Sequence, residues 1–392
     1  MRVVVVGAGL GGLRTVEALR RKEYGGAITL IGAEPHAPYD RPPLTKHVLR
    51  GELADTTFPT DFPALDVDTR FGVRATGLDT AAGTVALSDG GSVQYDALVL
   101  APGAVPRTLP GVDQRPGLHV VRTIEDAHRL RDAVAASGRV VVVGGGFIGC
   151  EVAASARSVG ADVDLVEVLP APLVRVLGPE GAALAADLLT ERGVRIHTGT
   201  AVTEITGEDA VTGVVLGNGT RLDTRDVVVG LGVVPDLGWL DGSGIEIGDG
   251  IACDAGGRTS VPGVYALGDA AAWHHRLAGG RRRIEHWTTT VDQANVVAAN
   301  IAAGPDGAGV ESADVPYFWS DVFDVKIQAL GFVDAEADTR VLRPGGKSVI
   351  LYSRDGRLTA AVGFSAARHV MRLRGSVASG APVDEVAASL PE

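Results

Sequence analysis

Cysteine is nearly absent: the 392 residues include only Cys150 and Cys253. No Cys-x-x-Cys pair occurs, so neither a disulfide framework nor a cysteine-rich metal site has material to form from. The adjacent His274 and His275 bring no further ligands, so no metal site is expected. Aromatic residues are sparse, at 5%. Basic residues are outnumbered, 36 Lys and Arg against 48 Asp and Glu, for a net charge of −12. That balance argues against a general nucleic-acid binder, whose phosphate contacts need Lys and Arg, and against attraction to anionic membrane surfaces. No apolar run reaches the length of a membrane span. The chain opens directly on a buried-strand pattern, Arg2-Val3-Val4-Val5-Val6. No signal peptide fits before it, so the expected setting is the cytoplasm.

What the chain has is glycine, 53 residues of it, many in short loops between apolar runs. With 45% hydrophobic residues and 21% charged ones, this fits a folded α/β protein rich in strand-to-helix turns. At about 150 residues per domain, the length suggests two or three domains.

The glycines fall into two matching patterns. Val3–Val6 reads as a strand buried on both faces. Gly7, Gly9 and Gly12 then supply Gly-x-Gly-x-x-Gly, a helix pattern follows, and a strand over Ala27–Ile31 ends near Glu34. The first glycine allows the tight turn and the second lets backbone approach a pyrophosphate. The third lets helix pack close to strand, and the helix N-terminus faces the phosphates. A carboxylate after the second strand can accept from a ribose. The order recurs with the strand Val140–Val143, then Gly144, Gly146 and Gly149, a helix over Phe147–Val159, the strand Val163–Val166, and Glu167. A carboxylate at Glu167 would repel a 2′-phosphate, which favours NADH over NADPH.

Between and after these units come less regular segments. Tyr39-Asp40-Arg41-Pro42-Pro43-Leu44-Thr45-Lys46 is stiffened by proline; locally it reads as a surface loop with two solvated cations. Leu98–Leu100 is a buried strand ending in the turn Ala101-Pro102-Gly103. Val264–Leu267 ends in Gly268-Asp269 and leads toward an Ala-rich helix start, where Asp269 either caps the helix or binds a ligand hydroxyl. Arg281–Arg283 reads as a solvated turn before Glu285-His286-Trp287, and Gly304–Gly309 as a linker. Tyr317-Phe318-Trp319-Ser320-Asp321 opens a C-terminal part with four strand patterns and a basic helix from Arg368 to Arg374.

Taken together, these pieces resemble the FAD- and NADH-dependent ferredoxin reductases, the putidaredoxin, rhodocoxin and biphenyl dioxygenase reductase group of glutathione-reductase-type flavoproteins. Gly7–Gly12, Tyr39–Lys46, Leu98–Gly103, Gly144–Glu151, Tyr265–Asp269, Glu285–Trp287 and Tyr317–Asp321 carry the likeness, in family order. The segments YDRPPLTK and EHW are the most specific. Ala101-Pro102-Gly103 departs from the family's usual Ala-Thr-Gly, which leaves the flavin contacts of Ala101 and Gly103 open.

The resemblance implies an α/β fold of two Rossmann-like dinucleotide-binding domains, for FAD and NAD, plus a small α+β C-terminal domain. The expected boundaries are 1–112 and 237–314 for FAD, 113–236 for NAD, and 315–392 for the last domain. It implies that Gly7, Gly9, Gly12, Glu34, Arg41, Gly268 and Asp269 hold FAD, and that Gly144, Gly146, Gly149 and Glu167 hold NAD. Lys46 would lie beside the flavin ring, paired with Glu151, the acid in the first turns of the second nucleotide helix. Glu285, His286, Trp287 and Trp319 would flank the flavin and nicotinamide. Lys46, Glu151, Trp287 and Trp319 are the expected catalytic set. The implied activity passes hydride from NADH to FAD, then single electrons to a [2Fe–2S] ferredoxin that feeds an oxygenase. Arg368, Arg372 and Arg374 are candidate docking cations, with a solvated basic helix as the alternative. Three other readings stay open: an NADH oxidase or monodehydroascorbate-reductase-like enzyme for a small acceptor, a redox-sensing binding flavoprotein, and a disulfide reductase. The last lacks its cysteines, because Thr45-Lys46 occupies the region where those enzymes place them. Monomer and dimer are equally compatible with the sequence.

Overall fold

The computed structural model describes residues 1–304 and 308–390 and divides the chain into two compact units. One comprises Met1–Asp40, Thr57–Val105 and Val234–Pro316; the other comprises Arg41–Thr56, Pro106–Val233 and Tyr317–Glu392. Part of the expected linker, residues 305–307, lies outside the described residues.

The first unit is built on a parallel five-stranded sheet. Its strands lie in the order Val264–Ala266, Ala97–Leu100, Val3–Val6, Ile28–Gly32 and Val67–Phe71. Val4 sits between Thr29 and Leu98 in register. Both neighbours of Val3–Val6 are parallel, so the strand is buried on both faces. That is why it reads as an unbroken apolar run rather than an alternating one. Helices Leu10–Arg21 and Trp287–Ala303 pack against each other. A three-stranded antiparallel meander, Ala75–Asp79, Thr84–Leu87 and Ser92–Gln94, leads into the strand that returns beside Val3–Val6.

The second unit repeats this plan. Its parallel sheet runs Arg195–Thr198, Asp162–Glu167, Arg139–Val143, Val227–Val229 and Leu118–His119. A second meander, Val202–Thr206, Gly213–Leu216 and Arg221–Asp223, occupies the same place in the order. The unit also holds an antiparallel sheet of Tyr317–Val322, Val325–Gly331, Arg357–Phe364, Ser348–Arg354 and Asp338–Leu342. That sheet does not keep a core of its own. Val322, Ile327, Ile350 and Tyr352 share one apolar cluster with Val142, Val152 and Leu177, and the Tyr352 hydroxyl donates to Leu177 O at 2.6 Å.

Two local expectations give way to sheet pairing. The segment after Asp269 is a strand, Ala271–His275, not a helix. It lies between Gly250–Cys253 and Gly280–Arg283, so hydrogen bonding to two neighbours overrides the helix preference of its alanines. The arginine triplet belongs to that last strand rather than to a solvated turn. Arg281 donates to Glu246 at 2.6 Å and Arg283 to Asp249 at 3.1 Å. At the C-terminus, the basic helix is two short ones, Ala367–Arg372 and Arg374–Ser379. No described helix is long and apolar enough to cross a membrane, and no described cluster of three His, Cys, Asp or Glu side chains is placed to hold a metal ion.

Candidate functional site

Each unit presents its glycine loop at the carboxyl ends of its parallel strands, where doubly wound folds bind nucleotides. The glycines of each loop divide by what surrounds them. A side-chain carbon on Gly7 would lie 1.9 Å from Ala101 O, and one on Gly12 would lie 1.9 Å from Gly7 O. In the second loop, Gly144 faces Gly230 O at 2.5 Å and Gly149 faces Gly144 O at 1.9 Å. These four are glycine because backbone approaches backbone. The middle glycines differ: a carbon on Gly9 or Gly146 meets nothing within 4 Å. Both sit at helix N-caps in ordinary extended conformations, with φ of −90° and −75°. Open space beside an uncapped helix N-terminus fits the pyrophosphates of FAD and NAD.

The carboxylate after each second strand is held, not loose. In the first unit Tyr39 donates to Glu34 Oε2 at 2.5 Å. In the second, Glu167 accepts from Gly145 N at 2.6 Å through Oε2 and from Leu169 N at 2.8 Å through Oε1. Glu167 therefore ties the glycine loop to the strand end.

Elsewhere in the first unit, Gly268 has φ of 73° and donates its N–H to Gln293 Oε1 at 2.8 Å. Gln293 is buried in helix Trp287–Ala303 and braces the turn that carries Asp269. Trp287 Nε1 donates to Asp40 at 2.9 Å, and the Arg14 guanidinium lies over Phe58 and Trp287. His286 stands at the N-terminal boundary of that helix, and burial pushes its imidazole down to about 4 despite the opposing pull of Asp269. Arg283 pairs with Glu285. The turn at Ala101 is anchored by its N–H to Val6 O at 2.7 Å, and Gly103 takes the positive φ that closes it.

In the second unit, the loop after Tyr39-Asp40 turns into one π-helical turn, Leu44–Val48. It docks on the helix Phe147–Ser158 through side chains one helical turn apart. Lys46 Nζ lies 2.8 Å from Glu151 Oε1, and the Thr45 hydroxyl donates to Glu151 Oε2 at 2.6 Å. Ser155 then donates to Thr45 O at 2.7 Å. Lys46 also reaches Pro42 O at 3.2 Å, and Arg41 donates to Arg122 O. The ion pair is buried, with 5% and 4% exposure of its residues. Ser320 adds a third donor to Glu151, 2.6 Å from Oε1. One residue earlier, Trp319 stacks with Tyr317 at 6.3 Å, beneath Lys326.

Thus Lys46, Glu151 and the Trp319 strand belong to one unit and Trp287 to the other. Thr45, Ser155, Ser320 and Gln293 are absent from the sequence-based site. Thr45 and Ser320 directly neighbour Lys46 and Trp319 in the sequence, and Ser155 follows Glu151 at helical spacing. Both cysteines are buried and free. Burial pushes the Cys253 thiol up to about 12 and the Cys150 thiol higher still, so neither supplies a thiolate near neutral pH.

Two nucleotide-binding units plus an appended antiparallel module define a two-dinucleotide oxidoreductase. The chain belongs to the pyridine nucleotide-disulphide oxidoreductase family, which it matches over residues 1–294, with a reductase C-terminal domain over 317–391. It is 37% identical over 374 residues to the ferredoxin reductase component of chlorobenzene dioxygenase from Cupriavidus sp. (strain PS12), covering 93% of this chain and 90% of that protein. Rhodocoxin reductase of Rhodococcus erythropolis is 36% identical over 349 residues, 88% of this chain and 81% of its own. The reductase fold in the crystal structure of the covalent putidaredoxin reductase–putidaredoxin complex matches with a TM-score of 0.93 at 29% identity, covering 98% of this chain and 95% of that one. FAD and NAD(H) are the cofactors this family implies, and the two open glycine cradles fit them.

Proposed function

We propose that this chain is the cytoplasmic NADH-dependent ferredoxin reductase of an oxygenase system. The observation that carries the reading is the buried Lys46–Glu151 pair. A desolvated ammonium is fixed in the same unit as the second nucleotide loop, and its anion sits on the helix that this loop opens. FAD, when bound, supplies the chemistry of accepting a hydride and releasing electrons one at a time. The chain's own residues orient and polarise. Gly7, Gly9, Gly12, Glu34, Arg41, Gly268 and Asp269 hold FAD in this reading, and Gly144, Gly146, Gly149 and Glu167 hold NADH. Lys46 places a cation beside the flavin ring, with Trp287 and Trp319 bounding the reacting rings. Glu167 selects against a 2′-phosphate.

The electron acceptor in this reading is a [2Fe–2S] ferredoxin. Names of relatives support the ferredoxin: dioxygenase ferredoxin reductase components, and a reductase captured with putidaredoxin. Arg368 and Arg372 are exposed on the helix Ala367–Arg372, and Arg374 opens the next one. They are the proposed docking cations for an acidic partner on a chain that is itself acidic.

The test is NADH-driven cytochrome c reduction by the FAD-loaded protein, with and without added [2Fe–2S] ferredoxin. The expected result is a yellow protein that bleaches with NADH and reduces cytochrome c only through the ferredoxin. A protein that takes up no FAD overturns the reading. So does fast turnover of a small acceptor while every ferredoxin tried stays oxidised.

A further inference from the structure

Glu151 is held from three directions, and one of them is the C-terminal module. Its Oε1 receives the Lys46 ammonium at 2.8 Å and the Ser320 hydroxyl at 2.6 Å, while Oε2 receives the Thr45 hydroxyl at 2.6 Å. Ser320 is 1% exposed. It stands on the strand Tyr317–Val322, whose successive side chains point to opposite faces. Trp319 and Asp321 therefore share one face, and Phe318 and Ser320 share the other. Phe318 packs edge-on against Phe147 at 4.9 Å, one helical turn from Glu151. The module thus meets the nucleotide helix at two successive turns, with an apolar contact and a hydrogen bond.

Three donors on two oxygens fix the rotation of a carboxylate. Lys46 is fixed in turn, because Glu151 Oε1 and Pro42 O engage two of its three protons and so set the direction of the third. Ser320 shares Oε1 with Lys46, so loss of its hydroxyl leaves that oxygen free to move and its charge less neutralised.

We infer that Ser320 is a positioning residue for hydride transfer: its hydroxyl fixes Glu151 and, through it, the ammonium of Lys46. This rests on the reading above that Lys46 lies beside the flavin ring. Ser320 exchanges no proton and no electron with either cofactor. Its effect is on geometry and on the local field, which becomes more negative when the hydroxyl is removed. A more negative field disfavours a reduced, electron-rich flavin.

The experiment compares wild type, Ser320→Ala, Glu151→Gln and the double variant as FAD-loaded protein. Two readouts are used: the flavin midpoint potential by spectroelectrochemistry, and the rate of flavin bleaching at saturating NADH by stopped flow. For Ser320→Ala the rate is expected to fall about tenfold, the scale of one hydrogen bond to a charged group. The NADH dissociation constant should stay close to wild type. The potential should move negative by about 30 mV, a tenfold change in a two-electron equilibrium. In the Glu151→Gln background, Ser320→Ala should add nothing, because the hydroxyl acts through the carboxylate. If Ser320→Ala folds poorly, Ser320→Cys, similar in shape and a weak donor, gives the same comparison. Wild-type potential and rate in Ser320→Ala, or an equal effect in both backgrounds, overturns the inference. Wild-type behaviour of Glu151→Gln instead overturns the underlying reading of the Lys46–Glu151 pair.

Discussion

Gly146 and Gly149 lie three residues apart in the same loop, yet replacing each by alanine should damage different properties. At Gly146 the backbone has φ of −75° and ψ of −177°, which any residue adopts, and the added methyl meets no protein atom within 4 Å. Alanine there gains roughly 0.4–1 kcal/mol from a stiffer unfolded chain. It gives up a comparable amount, about 1 kcal/mol, because alanine is a poor N-cap. The unfolding midpoint should barely move. The methyl projects into the space where a pyrophosphate would approach the helix N-terminus. Weakening one charge-assisted hydrogen bond costs about 1.5–3 kcal/mol, which raises the NADH dissociation constant roughly tenfold to a hundredfold. At Gly149 the same methyl lands 1.9 Å from Gly144 O. Helix and strand must separate, at about 1–3 kcal/mol of overpacking, so Gly149→Ala should lose stability first and binding as a consequence. The assays are thermal unfolding followed by circular dichroism, and stopped-flow flavin bleaching against NADH concentration. If Gly146→Ala binds NADH like wild type, or unfolds as early as Gly149→Ala, the open cradle is not a phosphate site.

Glu167→Arg should move the ratio of kcat/KM toward NADPH, but with poor absolute rates, because it also strips the acceptor from the N–H groups of Gly145 and Leu169. An unchanged ratio removes Glu167 from cofactor choice. His286 makes stability acid-sensitive: its folded pKa of about 4 lies below the ordinary value near 6.5, so the unfolded chain binds more protons in that window and stability falls as pH drops through it. Unfolding midpoints between pH 7 and pH 4 should show this slope in wild type and a flatter one in His286→Asn. Asp164 acts lower on the pH scale. Burial raises its pKa, but hydrogen bonds from Arg195 and His197 outweigh that and hold it below the usual carboxylate value, so its contribution disappears only further into acid.

Much of the fold was readable because two physical signals coincided. Buried parallel strands need apolar residues on both faces, and the turns after them need glycine, so Val3–Val6 and Val140–Val143 with their loops stand out locally. The segments read wrongly were those whose conformation is decided by neighbours distant in sequence. Ala271–His275 is a strand because Gly250–Cys253 and Gly280–Arg283 flank it, and the arginines beside it are ordered because Glu246 and Asp249 wait across the sheet edge. Neither partner could be assigned from local pattern. The C-terminal module matches a domain of its own, over residues 317–391, yet it shares its apolar core with the second nucleotide unit. Periodicity says which face of a strand is apolar and nothing about what covers it, and here Tyr352 and Ile327 are covered by residues of the second nucleotide sheet and its helices.

The same limit shaped the site. Phe147, Glu151 and Ser155 recur at intervals of four, so the sequence already puts them on one helical face. An isolated Glu in the midst of Cys150, Val152, Ala153 and Ala154 signals an acid that must find partners when buried, because an unpaired buried carboxylate is too costly to persist. Lys46, which the family resemblance implies, is one of them. The others are hydroxyls, whose local sequence carries no mark of what they will bond. Thr45 lies 106 residues from Glu151 and Ser320 lies 169 away. The rule that a buried carboxylate fills its lone pairs predicts that such donors exist. It gives their chemistry, and the fold supplies their number and their names. For a family whose chemistry resides in its cofactor, residues of this kind are where one chain can differ from its relatives in rate and potential while keeping every glycine of its loops.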